Sequence, residues 1–435
     1  MTAASSAVLQ KPLNAKVRQQ IIGVLNEAPS HGLPAYHLTP ESSDADLTRA
    51  VLQYASAMRG GRMEGKFTGD WHLRPAHYDP TADFKKAVKK KKVAQWLQQL
   101  APQEQGYGLL RQELVRYREL QAAGGWNQLA PGKIVKVGGK GPRVLALRRR
   151  LGMEYAAPAP EGDPSTFDAA LSEALKAEQA RLGVPVTGNL DKATVAALNV
   201  PVSARVDTIV ANLERWRWIP TVMPRYRVEV NVPNFWVEVY RDRQPPLTMK
   251  VIVGKPATPT PMFQDTMEGV VFNPPWNVPD FIAKRDILPK AKKDKTYLIK
   301  NDYVLTDDGR VQQKAGPKSA LGKVKFELGN PFAIYFHDTP SKQLFDYDMR
   351  AFSNGCMRLE KPLELLETVM NEGREDIDQT IATGETRRAE VARPVPVFVV
   401  YRTAFVENGK LQFRDDLYSW DAQLKEILEG VSHKT

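Results

Sequence analysis

The sequence predicts a multidomain α+β protein, in which a helical amino-terminal part is followed by a mostly β carboxy-terminal part. Up to Trp216, apolar residues recur at intervals of three and four, which is typical of helices that bury one face. From Tyr226 onward the interval falls to two, which is typical of strands. A Gly-, Lys- and Pro-rich stretch at 131–141 predicts a linker within the helical part.

Length, composition and charge limit the classes of protein to which the chain can belong. A chain of 435 residues favours about three domains. No apolar run approaches the ~20 residues of a membrane span, so no transmembrane segment is predicted. The net charge of +11 favours polyanionic surroundings in general. Because no nucleic-acid-binding motif accompanies that charge, we interpret it as a lysine-rich surface and predict no nucleic-acid partner.

The first domain is predicted to be a helical scaffold formed by residues 1–137 and 201–224. Its third helix is expected from Phe84 to Leu100 and its fourth from Leu109 to Leu120. The domain contains no recognisable catalytic pattern, and its histidines lack the spacing of metal ligands. We interpret them as structural or surface residues and predict neither a metal nor a cofactor; they are His31, His37, His72 and His77.

Residues 138–200 form a compact unit of three predicted helices, the last of them capped by Asp191. This unit resembles the peptidoglycan-binding domain 1 family, which implies a wall-binding module. The alternative is a helical bundle that has lost its ligand, because Glu178-Gln179 and Thr187 depart from the family pattern. The matching residues are Gly141, Val144, Leu147, Leu151, Phe167, Leu171, Gly183, Gly188, Thr194, Ala197, Leu198 and Asn199.

The strand pattern of residues 225–435 predicts a third, mostly β domain. Residues 281–325 interrupt the pattern with a lysine-rich segment. A long insert between two core strands predicts a capping segment, or lid, over a nearby site. A surface loop without function is the alternative.

The candidate chemistry lies in this domain, where the single cysteine of the chain, Cys356, follows a strand that ends at His337. A thiol and an imidazole brought together by a loop suggest a nucleophile and its base. The polar turn Ser353-Asn354-Gly355 precedes Cys356. The backbone N–H groups of Gly355 and Cys356 are therefore the expected donors to an oxyanion.

The stretch from His337 to the motif Ser353-Asn354-Gly355-Cys356-Met357-Arg358 resembles the catalytic motif of the YkuD-type L,D-transpeptidases. Many relatives carry a second histidine where this chain has Asn354, so the base is expected to be His337 alone. Further stretches, such as Asn273-Pro-Pro-Trp-Asn-Val-Pro279, resemble the large YcbB-like branch. That branch joins a helical scaffold, a peptidoglycan-binding module and a catalytic domain with an inserted capping segment.

The resemblance implies a cysteine-dependent acyl transfer on peptidoglycan stem peptides, which act as donor and acceptor, without a cofactor. Cys356 would form a thioester with the stem, D-Ala would leave, and 3→3 diaminopimelate cross-links would result. Asp338 would orient His337 through its main-chain carbonyl. The residues expected to contact the substrate or shape its pocket are Arg358, Tyr335, Ser353 and Asn354; for Arg358 a structural salt bridge is the alternative.

Two other functions stay open at this point. An enzyme of the same fold could hydrolyse the stem or cross-link, or exchange its D-amino acid. A non-catalytic wall-binding protein could retain Cys356 as a vestige. The resemblance also implies a periplasmic or cell-wall-associated protein. The first residues do not form a signal peptide, so either the protein is cytoplasmic or, as the resemblance implies, a targeting segment has been removed. The sequence does not predict an oligomeric state.

Overall fold

The chain divides into two compact units, each of which is described by itself. The first unit comprises most of the chain before Pro224 together with the segment from Arg402 onward. The second runs from Pro224 to Tyr401 and includes a short stretch ending at His72. The computed structural model describes residues 11–63, 70–73, 77–155, 158–160 and 162–432.

Helices form most of the first unit, as the apolar spacing predicts. The predicted third helix is wrong in one respect, because it is two helices separated at Lys90–Lys92, where Lys91 adopts a left-handed backbone conformation (φ 57°). The break lets Phe84 and Leu97 both be buried. The helices are α1 Ala15–Leu25, α2 Asp44–Gly60, α3 Thr81–Lys89, α4 Val93–Gln99, α5 Gln105–Ala122, α6 Pro142–Glu154, α7 Ala169–Arg181, α8 Lys192–Leu198 and α9 Val202–Trp216.

Helices α6, α7 and α8 form the predicted three-helix module. Asp191 caps α8 by accepting a hydrogen bond from the backbone N–H of Thr194, as the sequence predicts. Of the residues that depart from the family pattern, Glu178 and Gln179 are buried inside the unit, whereas Thr187 is exposed. Glu178 pairs with Arg181 at 2.5 Å, and Gln179 Nε2 donates to Thr194 Oγ1 at 2.7 Å.

The second unit is built around a mixed sheet. Its strands are β1 Arg227–Asn231, β2 Trp236–Arg241, β3 Gln244–Gly254, β4 Phe263–Phe272, β5 Trp276–Asn277, β6 Tyr303–Leu305, β7 Val311–Gln313, β8 Val324–Leu328, β9 Phe336–His337, β10 Ala351–Ser353, β11 Met357–Leu359 and β12 Arg387–Val400. In the main sheet the order is β10-β3-β11-β9-β8-β4-β12-β1-β2, and β2 also pairs with β3. Strands β3 to β2 therefore form a closed sheet, and β10 pairs with the last two residues of β3. Helices α13 Pro362–Met370 and α14 Arg374–Ala382 follow β11.

The predicted insert is a small subdomain between β4 and β8, so it begins earlier than residue 281. It contains the three-stranded sheet β5-β7-β6 and the helices α10 Asp280–Ile282, α11 Leu288–Lys293 and α12 Tyr297–Lys300. A π-helical turn, Ala283–Ile287, joins α10 to α11. The subdomain has a core of its own, made of Val278, Ile282, Ala283, Ile287 and Val311.

The last segment of the chain, from Arg402 onward, packs with the first unit, although its strand pattern predicts that it belongs to the β domain. It forms the hairpin β13 Ala404–Glu407 and β14 Lys410–Phe413, followed by α15 Trp420–Ser432. Arg181 Nη1 donates to the carbonyl of Leu411 at 2.9 Å, which ties the hairpin to α7. The predicted turn Asn408-Gly409 is confirmed, since both residues have positive φ.

Among the described residues, no helix has the length and apolar character needed to cross a membrane.

Candidate active site

Two adjacent parallel strands, β9 and β11, carry the candidate catalytic residues. Their register partners are Met357 with Phe336 and Arg358 with His337. Met357 and Phe336 are fully buried and anchor both strands in the core. Because side chains alternate between the faces of a strand, His337 and Arg358 lie on the opposite face. Cys356 precedes Met357 and Tyr335 precedes Phe336, so the side chains of Cys356 and Tyr335 lie on that face too.

A hydrogen-bonded turn presents Cys356. The buried hydroxyl of Ser353 accepts from the N–H of Gly355 at 3.1 Å and donates to the carbonyl of Cys356 at 2.6 Å. Thr260 Oγ1 donates to the Gly355 carbonyl at 2.7 Å. Gly355 has φ 112°, and a Cβ at this position would lie 2.9 Å from Cδ1 of Ile334. The turn therefore requires glycine here, for its backbone conformation and for its lack of a side chain.

The same turn uses two groups that were expected to contact the substrate, the N–H of Gly355 and the hydroxyl of Ser353. The N–H of Gly355 donates to Ser353, so it is not available to an oxyanion in this conformation. Of the two N–H groups expected to donate to an oxyanion, that of Cys356 remains the candidate. The hydroxyl of Ser353 is directed at the backbone of the turn and not outward.

His337 is held as a neutral imidazole with a defined tautomer. Its Nδ1 lies 2.5 Å from the carbonyl oxygen of Asp338, as the resemblance implies. Since a carbonyl only accepts hydrogen bonds, Nδ1 carries the proton and Nε2 is the unprotonated, basic nitrogen. Burial, and next the charge of Arg358, lower the pKa of His337 to about 3.

The thiol of Cys356 is also neutral. Burial raises the pKa of the thiol above its ordinary value, although hydrogen bonds from Tyr335 and the charge of Arg358 act in the opposite direction. Sγ donates to the carbonyl of Ala333 at 3.7 Å. Within the described part of the chain, no hydrogen bond joins Sγ to the His337 ring. The resting pair is therefore a thiol and an imidazole, and not a thiolate and an imidazolium.

Tyr335 borders the thiol on the same face. Its ring centroid lies 5.7 Å from that of His337, and Lys325 Nζ lies 4.6 Å from the centre of the Tyr335 ring. Burial, and next the proximity of Cys356, raise the pKa of the phenol, so its hydroxyl stays protonated. Tyr335 thus places a hydrogen-bond donor beside Cys356.

Arg358 brings a positive charge to the site. Its Nε is buried without a hydrogen-bond partner, and burial lowers the pKa of the guanidinium. The structural salt bridge considered for Arg358 is not formed by any carboxylate in the described ranges.

The insert touches the turn at Asn354. Arg285, in the π-helical turn, donates from Nη2 to Asn354 Oδ1 at 3.1 Å and also pairs with Asp286 at 2.6 Å. The side chain that replaces the second histidine of many relatives is therefore bound by the insert. A π-helical turn of this kind is frequent at functional sites.

Three residues at the site were not predicted from the sequence. Lys325 is the register partner of His337 on β8, and strand alternation could have identified it. Arg285 lies among many basic residues in the insert, and no sequence pattern distinguishes it from the others. Ala333 contributes a carbonyl from a left-handed backbone conformation (φ 55°), and no sequence signal marks such an alanine. In the described residues, no group of histidine, cysteine or acidic side chains is arranged to hold a metal ion.

Comparisons with known proteins agree with this architecture. Family models match residues 11–114 ("Scaffold domain"), 140–198 ("Putative peptidoglycan binding domain") and 225–399 ("L,D-transpeptidase catalytic domain", YkuD). The chain contains a YkuD-type L,D-transpeptidase catalytic domain. Every residue of the candidate active site lies in the region that this last model matches.

The chain is also similar to a "Putative L,D-transpeptidase" of Haemophilus influenzae, with 35% identity over 236 residues. The match covers 49% of this chain and 48% of the relative, so the chain spans about half the length of that relative. The YcbB-like branch within the family stays a prediction.

Solved structures with some likeness include the L,D-transpeptidase of Stackebrandtia nassauensis. It has 11% identity and a TM-score of 0.25, and the match covers 65% of this chain and 98% of that one. The "Ldtfm-avibactam carbamoyl enzyme" has 12% identity and a TM-score of 0.23, with coverage of 67% and 98%. At these TM-scores neither structure adds to the assignment.

Proposed function

We propose that the chain is a cysteine-dependent L,D-transpeptidase that forms 3→3 diaminopimelate cross-links in peptidoglycan. The observation that carries the proposal is the placement of Cys356 and His337 on one face of two adjacent strands, within a domain that matches the transpeptidase model. The match to the transpeptidase model supports the coarser proposal of an enzyme that cross-links or modifies peptidoglycan.

In the proposed first step, the thiol of Cys356 turns from the carbonyl of Ala333 toward Nε2 of His337. Sγ bonds to the carbonyl carbon at the L-centre of diaminopimelate in a donor tetrapeptide, while the thiol proton passes to Nε2. The carbon–nitrogen bond to the terminal D-Ala then breaks. The proton passes from Nε2 to the leaving amine, and a thioester stays on Cys356.

In the second step, the side-chain amine of an acceptor stem attacks the thioester carbon. The amine proton passes to Nε2, the carbon–sulfur bond breaks, and the proton returns to Sγ. The hydrogen bond from Nδ1 of His337 to the Asp338 carbonyl supports this role, because it keeps Nε2 unprotonated between proton transfers. No redox partner or cofactor is required.

Negative charge on the tetrahedral intermediates needs hydrogen-bond donors. We assign this role to the backbone N–H of Cys356, with the protonated phenol of Tyr335 as a further contact to the substrate. In this proposal Gly355 allows the backbone conformation of the turn, and the hydroxyl of Ser353 stabilises the turn through its two hydrogen bonds. Asn354 would couple the insert to the nucleophile through Arg285.

The remaining parts of the chain fit an enzyme that acts at the cell wall. We propose that the module at 138–200 contributes to holding peptidoglycan and that the insert, predicted at 281–325, caps the bound stem. A periplasmic or wall-associated location follows from the same proposal.

Product analysis tests the proposed reaction. The protein is incubated with disaccharide-tetrapeptide muropeptides, and the products are separated and identified by mass spectrometry, with Cys356→Ala as the control. Transpeptidation predicts release of D-Ala together with a dimer linked between two diaminopimelate residues. A tripeptide without dimer would indicate hydrolysis instead, and a new terminal D-amino acid would indicate exchange.

A further inference from the structure

The guanidinium of Arg358 is the feature of the site that the proposed chemistry does not yet use. Its Nε is buried and has no hydrogen-bond partner, and burial lowers the pKa of the group. Among the described residues, no carboxylate forms an ion pair with it. A largely buried charge without a counterion is costly. An anion supplied from outside the chain would offset that cost.

The position of Arg358 indicates where such an anion would lie. Arg358 is the register partner of His337 on the adjacent strand and lies on the same face as Cys356. Its charge lowers the pKa of both His337 and the Cys356 thiol. The guanidinium is therefore close to both reacting groups, on the side of His337 that faces β11.

Lys325 provides a contrast on the other side of His337. It too is a register partner of His337, on β8. Its Nζ, however, lies 3.8 Å from Oε1 of Glu327 and 4.6 Å from the centre of the Tyr335 ring. The charge of Lys325 thus has partners inside the chain, whereas the charge of Arg358 has no carboxylate partner in the part of the chain that the structure describes.

We propose that Arg358 binds the free terminal carboxylate of the donor peptide and thereby selects stems with a single residue after the scissile bond. This inference rests on the proposed function. His337 must lie beside the leaving nitrogen in order to protonate it. The carboxylate of a single leaving residue is two bonds from that nitrogen. Adjacent strands are about 4.8 Å apart, so this carboxylate comes within reach of the planar Arg358 fork.

The selectivity follows from the chemistry of the leaving group. A donor with two residues after the scissile bond carries its carboxylate one residue further away. A donor that ends in a carboxamide carries no charge there. In both cases the guanidinium would remain buried without an anion in the acylation step, and acylation would be slower.

Alkylation with two reagents tests the anion site without relying on transpeptidation. The thiolate attacks iodoacetate and iodoacetamide at the same carbon. The two reagents differ in that the first carries a carboxylate and the second a neutral carboxamide. Second-order rates at Cys356 are measured by intact mass for the wild type, Arg358→Gln, Arg358→Lys, Lys325→Gln and the exposed control Arg374→Gln, with N-acetylcysteine as the free-thiol reference.

The wild type and Arg374→Gln should favour iodoacetate over iodoacetamide about tenfold or more relative to N-acetylcysteine. In Arg358→Gln this preference, taken as the ratio of the two rates, should fall to that of the free thiol. Because the guanidinium also lowers the pKa of the Cys356 thiol, its loss slows both reagents together, and the ratio is therefore the readout. Arg358→Lys should retain part of the preference, because it keeps the charge without the fork. The proposal is overturned if Lys325→Gln loses as much preference as Arg358→Gln, or if the wild type shows none.

Turnover with a tetrapeptide donor and its terminal carboxamide then tests selectivity. We expect kcat/KM to be about tenfold or more lower for the amide in the wild type, and nearly equal for the two donors in Arg358→Gln. Equal use of both donors by the wild type contradicts the assignment of Arg358. If the wild type uses neither donor but keeps the preference for iodoacetate, the proposed function fails while the anion site is supported.

Discussion

The turn before Cys356 depends on one buried hydroxyl, so Ser353→Ala is a sharp test of how the nucleophile is positioned. The substitution removes the acceptor of the Gly355 N–H and the donor to the Cys356 carbonyl. Each bond contributes about 1 kcal/mol, and a buried N–H left without a partner costs about 1–3 kcal/mol. We therefore expect a loss of roughly 2–4 kcal/mol in the free energy of unfolding.

For a domain of this size, such a loss lowers Tm by roughly 5–15 °C. The resemblance to the L,D-transpeptidases implies that carbapenems acylate Cys356. We expect Ser353→Ala to slow this acylation by about tenfold to a hundredfold, because misplacement by about 1 Å can cost that much in rate. Calorimetry and time-resolved intact-mass analysis measure the two effects. Ser319→Ala is the matched control: this buried hydroxyl also makes two hydrogen bonds, but longer ones, since it donates to the Pro274 carbonyl and accepts from the N–H of Leu321, both at 3.3 Å.

The control should lose less stability and keep the wild-type acylation rate. The reasoning is refuted if Ser353→Ala matches the wild type in Tm and in rate. A variant acylated faster than the wild type would also contradict it, since the hydroxyl would then be withholding the Gly355 N–H from the oxyanion.

Three further changes have expected outcomes. Gly355→Ala should lower Tm and nearly abolish acylation, because φ 112° and a Cβ contact of 2.9 Å strain the turn; calorimetry and intact mass measure both. Arg285→Ala should leave Tm within about 1 °C but weaken binding of the donor stem, seen as a raised KM, because the insert loses its bond to Asn354. Folding favours neutral His337 and neutral His31, whose pKa values are both lowered to about 3. The stabilisation is therefore fully present above pH ~6.5. As the pH drops toward 3, the free energy of unfolding should fall by up to ~1.4 kcal/mol per pH unit for each histidine. Urea titrations at several pH values measure this fall, and a free energy of unfolding that does not change with pH would contradict it.

Much of the fold was predictable because local patterns determine it. The change of apolar interval at Tyr226 marks the start of the strands, and the capping by Asp191 and the turn at Asn408-Gly409 are confirmed. Each of these features depends on residues close together in sequence. The break in the third helix at Lys91 was missed, because long-range packing of its two halves overrides the continuous apolar spacing.

The candidate site was predictable only in part. The strand that ends at His337 and the turn before Cys356 predicted that these two residues lie side by side, and the resemblance supplied the Asp338 carbonyl. The carbonyl of Ala333, by contrast, depends on a backbone conformation that no side chain indicates. The bond from Arg285 to Asn354 joins segments far apart in the chain and follows from the tertiary structure alone. The roles of these residues in catalysis stay predictions.

The proposed reaction requires Cys356 as the nucleophile and His337 as its base, and intact-mass analysis after meropenem treatment tests both roles. The wild type, Cys356→Ala and His337→Ala are compared, with circular dichroism to verify that each is folded. We expect a single covalent adduct on the wild type, no adduct on Cys356→Ala, and none or a very slow one on His337→Ala. A folded wild type without an adduct, or an adduct that persists in Cys356→Ala, would contradict it.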